Sequence, residues 1–352
     1  MIERLLVCRS RSFDPYENLA LEEALLNRVG EGELILYLWR NERTVVIGRN
    51  QNPWKECRTA LLAEEGGRLA RRLSGGGAVF HDLGNLNFTF LMREADYDLP
   101  RQLTVIERAC QSLGIPAERS GRNDLLADGR KFSGNAFYKH NGKAYHHGTL
   151  MLDVDLEMVQ RYLSPSKAKL AAKGVDSVRS RVVNLHEFVP ELSVDRLSDA
   201  LIAALAEVYA VGAAIGRPPE AETFRVCHSE RSEESVPPSS VLPLDVNELD
   251  LRTLTEKYRS DAWLYGQKLP FTLSVEERFP WGGVELQLNV NEGVIQGAKV
   301  YTDAMDETLA PRLEAALTGV PLRPEALRDR LADLCLPAER EKDMLSLLAT
   351  AL

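Results

Sequence analysis

Arg71-Arg72-Leu73-Ser74-Gly75-Gly76-Gly77-Ala78-Val79-Phe80-His81-Asp82 is the stretch of this 352-residue chain from which the fold is best read. Three consecutive glycines make a poor strand or helix, because each loses the most backbone freedom on folding. They are tolerated where the backbone approaches another group closely or turns its N–H groups toward an anion. Arg71 and Arg72 add charge suited to phosphate or carboxylate. A glycine-rich hairpin turn with solvated arginines accounts for the same residues, and on the glycines alone it is the favoured reading. A Walker loop is excluded, since Ala78-Val79 follows Gly77 where Lys-Ser/Thr is required.

Upstream of this stretch, Asp14, Pro15 and Glu17 are placed to cap a helix. Leu34-Ile35-Leu36-Tyr37-Leu38-Trp39 is a continuous apolar run, as expected of a strand covered on both faces. Thr44–Ile47 predicts a second strand, ended by Gly48, and Phe88–Met92 a third. Leu103, Ile106, Cys110 and Leu113 share one helical face, with Gly114 and Pro116 as stop signals. Strands and helices intermingle without a regular βαβ rhythm, which predicts an α+β class.

Three further stretches concentrate chemistry. In Ser120-Gly121-Arg122-Asn123-Asp124-Leu125 and Gly129-Arg130-Lys131-Phe132-Ser133-Gly134, turns fall at Asn123-Asp124 and Asp128-Gly129. Strand alternation then puts Lys131 and Ser133 on one face, although an isolated lysine usually faces solvent. In Tyr145-His146-His147-Gly148-Thr149-Leu150, neighbouring histidines point to opposite sides and do not chelate one metal together. Gly148 implies close backbone approach. From Arg161 to Leu185 there are six Lys/Arg against one Asp, a local excess of positive charge that suits either an anion site or a solvated amphipathic helix.

The whole chain is acidic, with 43 Lys+Arg against 52 Asp+Glu and a net charge of −9. That balance argues against a general nucleic-acid or anionic-membrane binder. Five scattered cysteines without a CxxC pair indicate neither a zinc knuckle nor a disulfide framework, and point to a reducing, cytoplasmic compartment. The length predicts two domains. Ser229 to Ser240 holds five Ser, two Pro and three Glu, so 226–250 reads as a flexible linker or insertion. A catalytic domain spans 1–225. The accessory domain, 251–352, is expected to carry strands around Phe271–Val275 and Val284–Val290, then helices from Arg323.

Taken together these motifs resemble the lipoate–protein ligases of the biotin/lipoate ligase family. The likeness runs from Gln51-Asn52-Pro53-Trp54-Lys55-Glu56-Cys57 through the triple-glycine run, Ser-Gly-Arg-Asn-Asp, Lys-x-Ser-Gly and His-His-Gly-Thr-Leu. It continues to Lys173-Gly174-Val175-Asp176-Ser177-Val178-Arg179-Ser180-Arg181-Val182, and Glu277-Arg278-Phe279 begins the small domain. The resemblance implies a class II synthetase/biotin-ligase-like catalytic domain with mixed sheets plus a small α+β accessory domain. It implies two steps: lipoate attacks the α-phosphorus of ATP to give lipoyl-AMP and pyrophosphate, and a lysine of a lipoyl domain then takes the acyl group. Lys131 becomes the catalytic residue. Arg72, Gly77, Ala78, Val79, Phe80, Asn123, Asp124, Lys131, Lys173, Gly174, Val175, Ser177, Val178 and Arg179 become the ATP and adenylate contacts. Ser74, Gly75, Gly76, Lys131, His147 and Gly148 become the lipoate contacts. ATP, Mg²⁺ and (R)-lipoate are expected, with the metal ligands undefined. The expected partners are lipoyl domains of 2-oxoacid dehydrogenase complexes and the glycine cleavage H protein, acted on by a monomer without nucleic-acid or membrane partners.

The residue types suit that chemistry. Carboxylate and triphosphate repel, and a lysine between them attracts each by ~4 kcal/mol at 4 Å and an effective dielectric near 20. About four buried methylenes of lipoate contribute roughly 3 kcal/mol in a dry slot, and small residues at Gly75–Ala78 leave it room. A cofactorless amidotransferase on the same fold needs a nucleophilic cysteine downstream of the His-Gly motif. No cysteine lies between Cys110 and Cys227. A lipoate carrier needs a broken site, and a regulator needs a helix-turn-helix ahead of the ligase-like strands; the sequence favours neither.

Overall fold

The computed structural model describes residues 1–121, 124–164, 182–209, 240–247, 249–266 and 269–351. The first helix, α1 (Pro15–Arg28), starts as the sequence predicts: the Asp14 carboxylate accepts from the Tyr16 N–H at 2.8 Å, and Pro15 opens the helix. Glu17 does not close a capping box. It accepts from the Ser12 hydroxyl, which in turn accepts from the Asp14 N–H.

Strands β1 (Arg4–Arg9), β2 (Glu33–Trp39), β3 (Thr44–Ile47), β4 (Arg68–Arg71), β5 (Val79–His81) and β6 (Asn85–Arg93) lead to β7 (Ala117–Ser120), β8 (Asp124–Ala127), β9 (Arg130–His140) and β10 (Lys143–Met151). A later strand, β11 (Val241–Pro243), returns to the edge of the main sheet. That eight-stranded sheet has the order β11-β1-β2-β6-β10-β9-β8-β7, and a small sheet has the order β4-β3-β5. β1 pairs in parallel with β2 and β11, and the other main-sheet pairs are antiparallel.

The apolar run of β2 is buried throughout because both faces are covered. Leu34, Leu36 and Leu38 pack in the core shared with helices Leu99–Ser112 and Val194–Tyr209, whereas Ile35, Tyr37 and Trp39 pack toward α1. β6 divides its residues the same way. Phe88 and Phe90 join the first core, while Asn87 and Thr89 alternate with them on the side facing α1 and the cavity. The mixed α+β class holds, with strands and helices in two layers about this sheet.

The C-terminal body has its own core. β12 (Leu273–Phe279), β13 (Gly282–Asn291) and β14 (Val294–Thr302) form an antiparallel sheet. Helices Leu309–Leu317, Pro324–Ala332 and Ala338–Ala349 bury Leu313, Leu331 and Met344 against Leu286 and Leu288. β14 and Leu309–Leu317 have no counterpart in the sequence reading; Gly297 interrupts the strand pattern of β14. Segment Arg252–Arg259, assigned by sequence to the accessory domain, packs Tyr258 into the core beneath α1. Residues 226–239 of the expected linker, Cys227 included, lie outside the described residues. Among the described residues no helix is long and apolar enough to cross a membrane.

Candidate functional site

A cavity of about 950 Å³ opens between the two sheets and the C-terminal body. It sits at the upper end of the ~300–1,000 Å³ usual for small-molecule sites. Leu19, Trp39 and Val46 supply apolar wall, while Lys131, Asp124, Asn135 and His147 supply polar wall.

The triple-glycine turn forms one side and is held from beneath by Arg72. Its Nε donates to Ser74 Oγ at 3.0 Å, Nη1 to the Val46 carbonyl at 3.1 Å, and Nη2 to the Gly75 and Gly77 carbonyls at 2.8 Å each. Burial lowers this guanidinium to about 10. Arg72 borders the cavity, but its donors organise the loop. Arg71 makes six hydrogen bonds to the carbonyls of Gly48, Arg49, Gln51, Trp263 and Leu264. The sequence reading offered Arg71 to an anion; instead its planar fork ties segment 261–264 to the β3 end.

Each glycine serves a different purpose. A Cβ on Gly75 would lie 2.3 Å from the Ala304 carbonyl and 2.8 Å from that of Met305, so this glycine admits the accessory domain rather than an acyl chain. Gly76 has φ +87°, and its N–H donates to Ala304 O at 3.2 Å. A Cβ on Gly77 meets nothing within 4 Å. The Gly77 N–H has no partner among the described residues, and Gly77 borders the cavity. That N–H is available to an anion.

Lys131 lies on β9 beside a register slip. Leu125 pairs with Ser133 and Leu126 with Lys131, leaving Phe132 as the extra residue. Such a bulge re-aims side chains. The expected shared face of Lys131 and Ser133 is therefore not formed: Lys131 and Gly134 line the cavity, while Ser133 is fully buried. Lys131 Nζ sits 2.7 Å from Asp124 Oδ1. A Cβ on Gly134 would approach Nζ to 3.1 Å, so this glycine makes room for the ammonium.

A buried chain of hydrogen bonds underlies the other wall. Trp39 Nε1 donates to Thr89 Oγ1 at 3.1 Å, and that hydroxyl donates to Glu22 Oε1 at 2.7 Å. Glu22 also accepts from His147 Nδ1 at 2.9 Å. Ser74 Oγ, already an acceptor from Arg72, donates to His147 Nε2 at 2.8 Å. His146 faces the other way, toward Gln102 and Asn135, as alternation predicts. Gly148 is packed closely: a Cβ there would stand 2.6 Å from both Asn135 Oδ1 and Phe88 Cζ. The sequence motifs do not single out Glu22 and Trp39 as residues of a site. Their signals were a carboxylate on the buried face of α1 and an indole ending an apolar strand.

Residues 14–206 match the lipoyl protein ligase A/B catalytic domain, and residues 268–349 match the bacterial lipoate protein ligase C-terminus. The chain belongs to the lipoyl protein ligase A/B family. This ligase-family chain is similar to P. falciparum LipL1 in complex with lipoate, at 27% identity and TM-score 0.79 over 97% of this chain and 98% of that one. It is also similar to a bi-partite lipoate protein ligase from Thermoplasma acidophilum, described with its E2 lipoyl domain (26% identity, TM-score 0.57, 78% of this chain and 100% of that one). A lipoate-protein ligase A bound with ATP matches at 26% identity and TM-score 0.56, over 76% of this chain and 99% of that one.

Of the residues expected from the family motifs, Arg72, Gly76, Gly77, Ala78, Val79, Asp124, Lys131, His147 and Gly148 border the cavity. Ser74 lies beneath the wall, Gly75 faces the accessory domain, and the Phe80 side chain turns into a core against Tyr162. Asn123, Lys173, Gly174, Val175, Ser177, Val178 and Arg179 lie outside the described residues. The described ends of that basic stretch meet the site: Ser164 borders the cavity, and the Val183 N–H donates to the Lys131 carbonyl at 2.9 Å. Three wall residues come from the accessory domain, namely Arg278, Asp303 and Met305.

Proposed function

We propose that this family member is an ATP-dependent lipoate–protein ligase. The carboxylate of lipoate attacks the α-phosphorus of ATP, the bond to the β-phosphate oxygen breaks, and pyrophosphate leaves. The lysine amine of a lipoyl domain then attacks the acyl carbon of lipoyl-AMP. An amide forms, AMP departs, and the amine's proton passes to solvent.

One observation carries this reading: a single cavity joins the Lys131 ammonium, a Gly77 loop N–H without a partner among the described residues, and an apolar wall at Leu19, Trp39 and Val46. Lys131 draws the two anions together and stabilises charge on the phosphoryl oxygens in the transition state. Asp124 holds the ammonium in place until substrate arrives. Of the three carboxylates that line the cavity, Glu56, Asp124 and Asp303, the last two are paired with Lys131 and Arg278. Among the described residues no group of three or more His, Cys, Asp or Glu is arranged for a metal. ATP enters as its Mg²⁺ complex, in which phosphate oxygens are the principal ligands. The lipoate and ATP named for the similar structures support both substrates, and the E2 lipoyl domain supports the acceptor class.

An alternative thioester route lacks a suitable nucleophile among the described residues. Burial pushes the thiols of Cys8, Cys57 and Cys110 up to about 12, and Cys335, exposed on the accessory domain, does not line the cavity. Mass spectrometry of a lipoyl domain after incubation with protein, ATP and lipoate tests the proposal. A lysine carrying the lipoyl mass only when ATP is present is expected; modification without ATP, or none, contradicts it.

A further inference from the structure

We infer that Arg278, on the accessory domain, is a phosphate-binding residue of the ATP site. The inference rests on the adenylation reading and adds a residue that the family's glycine and lysine motifs do not contain.

A triphosphate brings about four negative charges into the cavity; of the catalytic-domain arginines that border it, Arg72 is committed to the glycine loop and Arg58 donates Nη1 to the Arg161 carbonyl at 2.9 Å. All donors of Arg71 and Arg72 named above bond to carbonyls or to Ser74. Arg278 is different. It lies on β12, borders the same cavity, and its side chain is 31% exposed. Among the described residues only its Nη1 has side-chain partners, the two oxygens of Asp303 at 3.2 and 2.9 Å. Nε and Nη2 remain as donors.

The support around this guanidinium is built rather than incidental. The Gly283 N–H donates to Asp303 Oδ1 at 2.7 Å and fixes the carboxylate that orients the arginine. A Cβ on Gly283 would come within 3.1 Å of Arg278 Nη1, so a side chain there would disturb it. The same domain is keyed to the glycine loop by Gly76 N–H to Ala304 O, and to Asn50 by Thr302 N–H to Asn50 O at 3.0 Å. An oriented guanidinium fork matches phosphate oxygens better than a point charge does. With the accessory domain seated on Gly75 and Gly76, the ATP site thus receives a cation from each domain, Lys131 and Arg278.

The test compares the full-length protein with Arg278→Ala and Arg278→Lys. Inorganic pyrophosphate binding is measured by calorimetry, the KM values for Mg-ATP and lipoate by pyrophosphate release, and docking by hydrogen exchange at the Thr302 amide. Arg278→Ala is expected to weaken pyrophosphate binding and raise the KM for ATP by about tenfold or more. The KM for lipoate and the Thr302 exchange rate should stay near wild type, and Arg278→Lys should recover part of the loss. Unchanged pyrophosphate affinity and ATP KM would overturn the assignment. So would a loss accompanied by faster Thr302 exchange, since the arginine would then only hold the domains together. Should the wild-type protein release no pyrophosphate, the adenylation reading fails, while calorimetry still judges Arg278.

Discussion

Lys131 owes its position to two neighbours that sequence motifs show but do not explain. Asp124 anchors the ammonium at 2.7 Å, and Gly134 leaves the space it occupies. Gly134→Ala crowds only the flexible end of a half-exposed side chain, so the fold should be affected by no more than about 0.5 kcal/mol. The amine moves, however, and a displacement near 1 Å can cost up to 10²-fold in rate. Adenylate formation should therefore fall by about tenfold or more at unchanged thermal midpoint; retained activity would show that Lys131 tolerates the shift. The Lys-x-Ser-Gly spacing was legible, but the bulge at Phe132 was not. Alternation assumes an unbroken ladder, and one extra residue reassigned Ser133 to the interior. For a related reason, sequence reports the charge of Arg71 and Arg72 and not the carbonyls that surround them.

Strand β10 shows how one element serves core and cavity at once. His147 reaches Glu22 and Ser74 on the cavity side, and His146 is sealed against Phe88 and Phe90 on the other. Burial lowers both His146 and His81 to about 3, with Arg72 adding to the effect at His81. Unfolded histidines titrate near 6.5. Between these values the unfolded chain binds more protons, so stability rises with pH across that window and is lost as pH falls below about 6.5. Each histidine contributes at most about 1.4 kcal/mol per pH unit. The urea midpoint should be lower at pH 5 than at pH 7.5, and His146→Gln should reduce that difference. Equal midpoints in the wild-type protein would count against neutral buried rings. Long apolar or capped elements such as α1 and β2 were readable from sequence. β14 and the helix Leu309–Leu317 were not, because their apolar positions acquire meaning only when packed on each other.

At the scale of the molecule, the accessory domain closes the cavity by touching the glycine turn with its own backbone. Nothing in the sequence shows that Gly75 packs against the backbone of Ala304 and Met305. Contacts between distant segments have no local signature, so the place of Arg278 in the interdomain wall had to await the fold. The absence of a cysteine at the cavity wall among the described residues gives a further expectation. Brief iodoacetamide treatment should alkylate exposed Cys335 before the three buried thiols and leave ligation within about twofold, because buried thiols stay protonated. Rapid inactivation would revive the thioester route. The most direct measurement is rapid-quench detection of lipoyl-AMP with wild-type protein and Lys131→Ala, each supplied with ATP and lipoate. Wild type should accumulate the adenylate, and Lys131→Ala should form it at least ~100-fold more slowly, about 2.7 kcal/mol of lost transition-state stabilisation, while melting like wild type. A near-normal rate in the alanine variant would contradict the account.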